Sequence, residues 1–321
     1  AAVLEVGRGG RFDDIAVVPN ALSLFTPIML EPPDQLGPTV ERIAWHKAGI
    51  IKPGVPVITA EDKPEVLAVI ERVARERDAA LTTIREGRDN PVYHGNKSVT
   101  ASGHRPPPSL PGEHQKQNTA LALATVEVLQ QQILVTPEQL QTGLTQASWP
   151  GRLQLIERGD KKFLLDGAHN LAGVETLCRA ILGWESALAT TQSQNDESGS
   201  PTIQSPHRKT TFILGMLADK DWRAMCERLA PLASRILTVQ VASQRTATPQ
   251  QLAEACHAAN PTATVTTCES LPNALHLAKT DRFVVIAGSL YLIGEALAIL
   301  DPKFAEHGDE RALNEWKPAS R

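Results

Sequence analysis

Aromatic side chains supply only 4% of this 321-residue chain, too few to form the stacking surface that single-stranded nucleic acids use. A basic face is missing too. The formal net charge is -4, which lacks the footprint of a duplex binder and leaves any anionic ligand to local donors. No apolar run approaches the ~20 residues that span a bilayer. The opening residues Ala1-Ala2-Val3-Leu4-Glu5-Val6 read as a strand rather than as a secretory leader. Cys178, Cys226, Cys256 and Cys268 are scattered, without a C-x-x-C pair or a histidine at zinc-finger spacing. Reduced thiols in a cytoplasmic protein are therefore expected. The sequence contains no P-loop pattern G-x-x-x-x-G-K-[ST] and no solenoid repeat.

What is present is a regular alternation, at an ordinary hydrophobic content of 42% and a length that allows two domains. Strand-like runs fall at 3–6, 21–26 and 55–59, and helical spacing at 40–48, 64–77, 118–129 and 137–147. The stretch 85–111 is rich in Pro, Gly and Ser and reads as loop or irregular sheet. From residue 149 the rhythm restarts, with strands expected at 153–157, 163–165, 211–214, 235–239, 263–267 and 283–287. Helices are expected between them at 174–184, 222–230, 249–258 and 271–278. This is the pattern of a doubly wound α/β domain. The predicted division is 1–147, 148–302 and a charged tail 303–321, with residues 186–209 a disordered insertion.

Two blocks carry the most chemistry: Pro150-Gly151-Arg152 and Asp166-Gly167-Ala168-His169-Asn170. The second follows the apolar run Phe163-Leu164-Leu165 and precedes a helical pattern. It therefore sets a carboxylate, an imidazole and an amide at the carboxyl end of a strand, where open α/β sheets bind ligands. Asp and Asn also cap helices, but capping alone does not call for this order of residues. Three further blocks are weaker alone. Gly7-Arg8-Gly9-Gly10-Arg11 resembles a dinucleotide loop but has Phe12 in place of the third glycine. Lys47, on an apolar helix face before Ala48-Gly49, is costly to bury as a free ammonium, and a stem that packs while its head reaches water is the plain alternative. Asn118, in His114-Gln115-Lys116-Gln117-Asn118, is either a helix N-cap or a reader of a base edge.

In order, the stretches EVGRGGRFD, LGPTVERIAWHKAGIIKPGVPVIT, HQKQNTALA, WPGRLQLI, LLDGAHNLAG, ILGMLADKDW and GSLYLIGEAL span residues 5 to 297. This series resembles the folylpolyglutamate synthase/dihydrofolate synthase family of the Mur ligase superfamily. The resemblance implies an α/β chain: the remainder of a P-loop-type central, ATP-binding domain, followed by a Rossmann-like C-terminal glutamate ligase domain. The family's P-loop segment lies upstream of the blocks matched here. The implied activity is ATP-dependent addition of L-glutamate to folate or dihydropteroate through an acyl phosphate, with ATP and Mg2+. The expected protein is a cytoplasmic monomer without nucleic-acid or membrane partners.

Carried over residue by residue, the resemblance makes Glu5 a magnesium ligand and Lys47 a carbamylated catalytic lysine. Asn118 falls where the family reads adenine, and Arg152 and Asp166 where it holds the nucleotide's phosphates and ribose. His169 lies near the meeting point of glutamate and γ-phosphate, and Ser289 on the glutamate side. Departures gather in the first domain. Ile15 and Ala16 stand where the family has Thr and Asn, Pro32 where it has a metal-binding His, and His46 where it has Glu. An alternative reading is therefore a degenerate, non-catalytic relative that binds or regulates. A nicotinamide-dependent oxidoreductase would rest on Gly7–Gly10 alone. The polypeptide as written is expected not to ligate, because it lacks the phosphate cradle on which transfer depends. Loss of Asp166 or His169 is expected to cost activity more than stability.

Overall fold

A computed structural model describes residues 1–30, 36–85, 92–94, 109–193 and 210–305. The chain divides into two compact units, Ala1–Ser109 with Glu113–Ala147, and Leu110–Gly112 with Ser148–Arg321.

The first unit holds a four-stranded sheet in the order β1 (Ser23–Phe25), β2 (Val57–Thr59), β3 (Leu81–Arg85), β4 (Val92–His94). The first three are parallel and β4 runs antiparallel to β3. Because alternate strand residues face opposite sides, Val57 packs with Ile43 and Ala44 of helix α1 (Val40–Lys47) and Ile70 of α2 (Pro64–Glu76). Its neighbour Ile58 packs with Ala120, Leu121 and Ala124 of α3 (His114–Leu129). Proline at the first turn of α2 and buried Val66, Val69, Ile70 and Val73 give that helix its start and its apolar stripe. Helix α4 (Pro137–Gln146) opens on a capping box between Thr136 and Gln139.

Three expectations change in this unit. Residues 3–6 are irregular and mostly exposed rather than a strand; a strand is held by ladder partners, and among the described residues these have none. Asn118 lies inside α3, which begins at His114, so it is not the N-cap. Strand β3 has no counterpart among the expected strands, being short and abutting the Pro- and Gly-rich stretch. Residues 31–35, which include Pro32, and 86–91 and 95–108 lie outside the described residues.

The second unit follows the chain through β5 (Gln154–Arg158), β6 (Lys161–Asp166), α5 (Leu171–Ser193), β7 (Thr210–Leu214) and α6 (Trp222–Leu229). It continues through β8 (Arg235–Thr238), α7 (Pro249–Ala259), β9 (Thr264–Thr267), α8 (Leu271–Leu277), β10 (Phe283–Ala287), α9 (Leu290–Leu300) and α10 (Pro302–Ala305). In space the six-stranded sheet runs β5-β6-β10-β7-β8-β9. Every pairing is parallel except β5 with β6. Leu164, Phe212, Ile236 and Val285 face α5, α6 and α7 through Leu177, Met225 and Leu252. Leu165, Ile213, Leu237 and Ile286 face α8 and α9 through Leu271, Leu292 and Ala296. Helices cover both faces, and the strand order reverses where β10 sits between β6 and β7. In such sheets that reversal opens a crevice beyond the carboxyl ends.

Helix α5 continues to Ser193, beyond the predicted end at Trp184 and into the stretch expected to be a disordered insertion. Ala187, Leu188 and Ala189 are strong helix formers that carry it on. The rest of that stretch, 194–209, lies outside the described residues, as do 306–321 of the tail. All four cysteines are free thiols. Burial pushes the Cys178 thiol up to about 11. A hydrogen bond with Cys256, then burial, raises Cys226 as well. These are protonated packing groups rather than nucleophiles. Among the described residues no helix is long and apolar enough to cross a membrane.

Candidate active site

Asp166 ends β6, and its register partner on β10 is Ala287. Its carboxylate is 7% exposed, and each oxygen accepts a backbone N–H: Oδ2 from Leu153 at 2.8 Å and Oδ1 from Ala168 at 2.9 Å. The Gly167 N–H donates to the Gly151 carbonyl at 2.8 Å, and the Gly151 N–H donates to Gln154 Oε1 at 2.8 Å. The two motifs that stand apart in sequence are thus one structure, clamped by a buried carboxylate. Arg152 is exposed at the apex of the clamped turn, between two residues whose backbones are fixed. Leu153 adopts a φ of +44° there, an uncommon conformation for a branched residue that its surroundings must hold.

His169 is half-buried on the other turn, with Nδ1 2.8 Å from the Gly167 carbonyl. A carbonyl only accepts, so Nδ1 carries the proton and in the neutral ring Nε2 keeps its lone pair. Asn170, read with the motif, caps α5: its Oδ1 accepts from Gly173 N–H at 2.8 Å. Ser289 lies just past the end of β10 but is 1% exposed. Its hydroxyl accepts from the Tyr291 N–H at 3.2 Å and caps α9. The residue that the resemblance places on the glutamate side is therefore enclosed, whereas Leu290 and Tyr291 beside it are 52% and 48% exposed. Gly288, just before it, has φ +111°, and a Cβ there would lie 2.7 Å from the Gly215 carbonyl at the end of β7. Only glycine lets the ends of β10 and β7 approach this closely.

In the first unit the glycine-rich loop closes on itself rather than opening an α-helix. Asp13 accepts from Arg8 N–H at 2.9 Å and Ile15 N–H at 3.0 Å, backbone bonds that lower its carboxyl pKa. A 3-10 turn of four residues, Asp14–Val17, follows, which removes the dinucleotide reading of Gly7–Gly10. The loop packs on the end of α1: Arg11 N–H donates to the His46 carbonyl at 2.8 Å, and the Arg11 guanidinium lies 4.0 Å from the Trp45 ring centre. Arg42 stacks on the same ring at 4.4 Å. Burial, then repulsion from Arg42 and Arg11, pushes His46 below the usual imidazole value. Lys47 is half-buried at the last position of α1. Glu5 is exposed in the irregular opening segment.

Asn118 is exposed on α3, and its Nδ2 donates to Gln115 Oε1 at 3.1 Å. Gln115 is 9% exposed, and its Nε2 lies 3.0 Å from His114 Nε2. Gln117 Nε2 donates to the Ala60 carbonyl just beyond β2 at 3.0 Å and fixes the start of α3 there. Sequence reasoning missed Gln115; its signal was the spacing of two amides one helical turn apart.

The family model described as dihydrofolate synthetase, C-terminal domain, matches residues 152–299. The dihydrofolate synthase/folylpolyglutamate synthase of Bacillus subtilis is 30% identical over 306 residues, covering 91% of this chain and 66% of the relative. The folylpolyglutamate synthase of Lacticaseibacillus casei is 32% identical over 308 residues, covering 91% and 64%. The chain thus spans about two thirds of the length of these curated relatives. Among solved structures, Escherichia coli FolC in complex with DHPP and ADP superposes with a TM-score of 0.71 at 25% identity, over 93% of this chain and 66% of that one. The Yersinia pestis enzyme complexed with AMPPNP and Mn ion, at 24% identity and a TM-score of 0.70, shows the same fold. Parallel sheets, helices on both faces of the second unit and these likenesses define a Mur ligase-like α/β protein. The chain belongs to the folylpolyglutamate synthase family.

Proposed function

We propose that this chain supplies the nucleotide- and glutamate-handling residues of an ATP-dependent ligase that adds L-glutamate to folate or dihydropteroate. The observation that carries the reading is the buried Asp166 clamp, which presents Arg152 and His169 at the carboxyl end of β6. That clamp lies within the segment matched to the dihydrofolate synthetase C-terminal domain. In this reaction the γ-phosphoryl of ATP passes to a carboxylate oxygen of the acceptor, giving an acyl phosphate and ADP. The amine of glutamate attacks the acyl carbon and expels phosphate as the amide forms. Arg152 contributes positive charge to the phosphates. Nε2 of His169 accepts the proton that the amine gives up. Asp166 holds both turns in place, and Asn118 reads the base. Lys47 is the lysine that the family implies to be carbamylated; intact-protein mass spectrometry under raised CO2 reads whether the carbamate is held.

Magnesium is implied by the family, and Mg2+ bound with a nucleotide takes only one or two carboxylates beside phosphate and water oxygens, of which Glu5 would be one. Among the described residues no three His, Cys, Asp or Glu side chains converge, and Glu5 is a lone exposed carboxylate. The sequence also offers no cradle for the β- and γ-phosphates, so these residues alone are expected to bind nucleotide without turning it over. Calorimetric titration with ADP tests the reading. Binding that falls at least ~10-fold in Arg152→Ala is expected, the size of one charge-assisted hydrogen bond. Absence of ADP binding, or binding indifferent to Arg152, refutes it, and glutamate incorporation into folate by the same polypeptide refutes the expected inactivity.

A further inference from the structure

We infer that Gln115 is a positioning residue that sets which base Asn118 accepts, an inference that rests on the proposed role of Asn118. Asn118 is exposed, and an exposed amide on a helix ordinarily samples several rotamers. Here it is held from beneath by a side chain that is itself 9% exposed. Gln115 Oε1 takes one of the two Nδ2 hydrogens at 3.1 Å. Gln115 Nε2 lies 3.0 Å from His114 Nε2, which accepts from it in the tautomer that carries the ring proton on Nδ1. One hydrogen of Asn118 is therefore committed, and the amide offers a ligand one donor and one acceptor.

That pair complements adenine, which presents an amino donor beside the N7 acceptor. Guanine presents two adjacent acceptors, O6 and N7, and an amide meets both only by spending both Nδ2 hydrogens. With Gln115 in place the second hydrogen is not available. Gln115 thus acts against guanine more than for adenine, and its removal frees Nδ2 to serve both acceptors.

The test is calorimetric titration of the full chain with ADP and with GDP, beside melting curves. The wild type is expected to prefer ADP by about tenfold, the size of one hydrogen bond near the top of the usual net range. Gln115→Met keeps length and helix propensity but removes the acceptor, and is expected to bring the two nucleotides within about twofold of each other. Gln115→Glu keeps an acceptor towards Asn118 and is expected to retain the preference. A merely structural role would weaken both nucleotides alike and leave the ratio unmoved. An unchanged ratio in a folded Gln115→Met protein overturns the inference, as does equal binding of both nucleotides by the wild type. Loss of the preference in Gln115→Glu overturns it even where the methionine variant does not fold. A wild type that binds neither nucleotide removes the base-reading role of Asn118 itself, and so the reading beneath.

Discussion

Replacing Asp166 with alanine leaves two backbone N–H groups, those of Leu153 and Ala168, without the acceptors they now reach at 2.8 and 2.9 Å. The carboxylate is 7% exposed, so water does not readily take its place. A buried donor left unsatisfied costs about 1–3 kcal/mol, so the pair together cost about 2–6 kcal/mol. That is a large share of the 5–15 kcal/mol typical of a whole domain. Urea unfolding followed by far-ultraviolet circular dichroism reads it as a lower midpoint at unchanged slope. Asp166→Asn keeps one acceptor and should fall between. His169→Ala breaks a single bond on a half-buried ring and should cost about 1 kcal/mol or less. A loss below about 1 kcal/mol in Asp166→Ala, the size of an ordinary helix cap, refutes the clamp. From sequence, the loss of Asp166 is expected to fall on activity. The hydrogen bonds add an expected loss on the fold, because the carboxylate joins the two turns.

Gly288→Ala combines a φ of +111° with a Cβ 2.7 Å from the Gly215 carbonyl and should cost at least ~1–3 kcal/mol in a thermal melt; a wild-type Tm contradicts the close approach. His46 titrates below its ordinary 6.5 through burial and then repulsion from Arg42 and Arg11. The unfolded chain therefore takes up this proton first as pH falls. Stability declines below about pH 6.5 until the folded value is passed. His46→Gln should flatten that limb of a urea-midpoint profile, and an unaltered slope rules the group out as its source. Gly49→Ala places a Cβ 2.4 Å from the Arg11 Cα, so the glycine-rich loop should detach from α1; unchanged protection of the Arg11 amide from hydrogen exchange counts against that.

The second unit was the more legible part of the chain. Its buried strands are short apolar runs between helical stretches, and the order Asp-Gly-Ala-His-Asn after Leu165 marks a strand end. Nothing in the sequence says that Asp166 bonds to Leu153, because that pairing arises only when β5 and β6 lie side by side. Ser289 was read for its place in a motif, yet a serine that caps a helix and one that touches a ligand have the same letters. The structure adds the cap and the burial, both of which are set by the packing of α9. The first unit was less legible. Strand character at 3–6 depends on a neighbouring strand, which local pattern cannot supply. The role of Gln115 depended on the rotamer of Asn118, which composition and periodicity do not reach.

The middle of the six-stranded sheet is closed by the last of its strands to be made. On a ribosome, β6 and β7 emerge early, but each waits with one edge unpaired until Phe283–Ala287 arrives to fill the gap between them. Exposed strand edges are aggregation templates, and pairing across so long a stretch of sequence is slow. A polypeptide that stops short of Phe283 lacks the strand with which both β6 and β7 pair, and is expected to leave an edge of each open. The turn that carries Asp166 and His169 would sit beside such an edge, without the neighbour that fixes its height. In this unit the working end of the sheet is completed only once its sixth strand has left the ribosome.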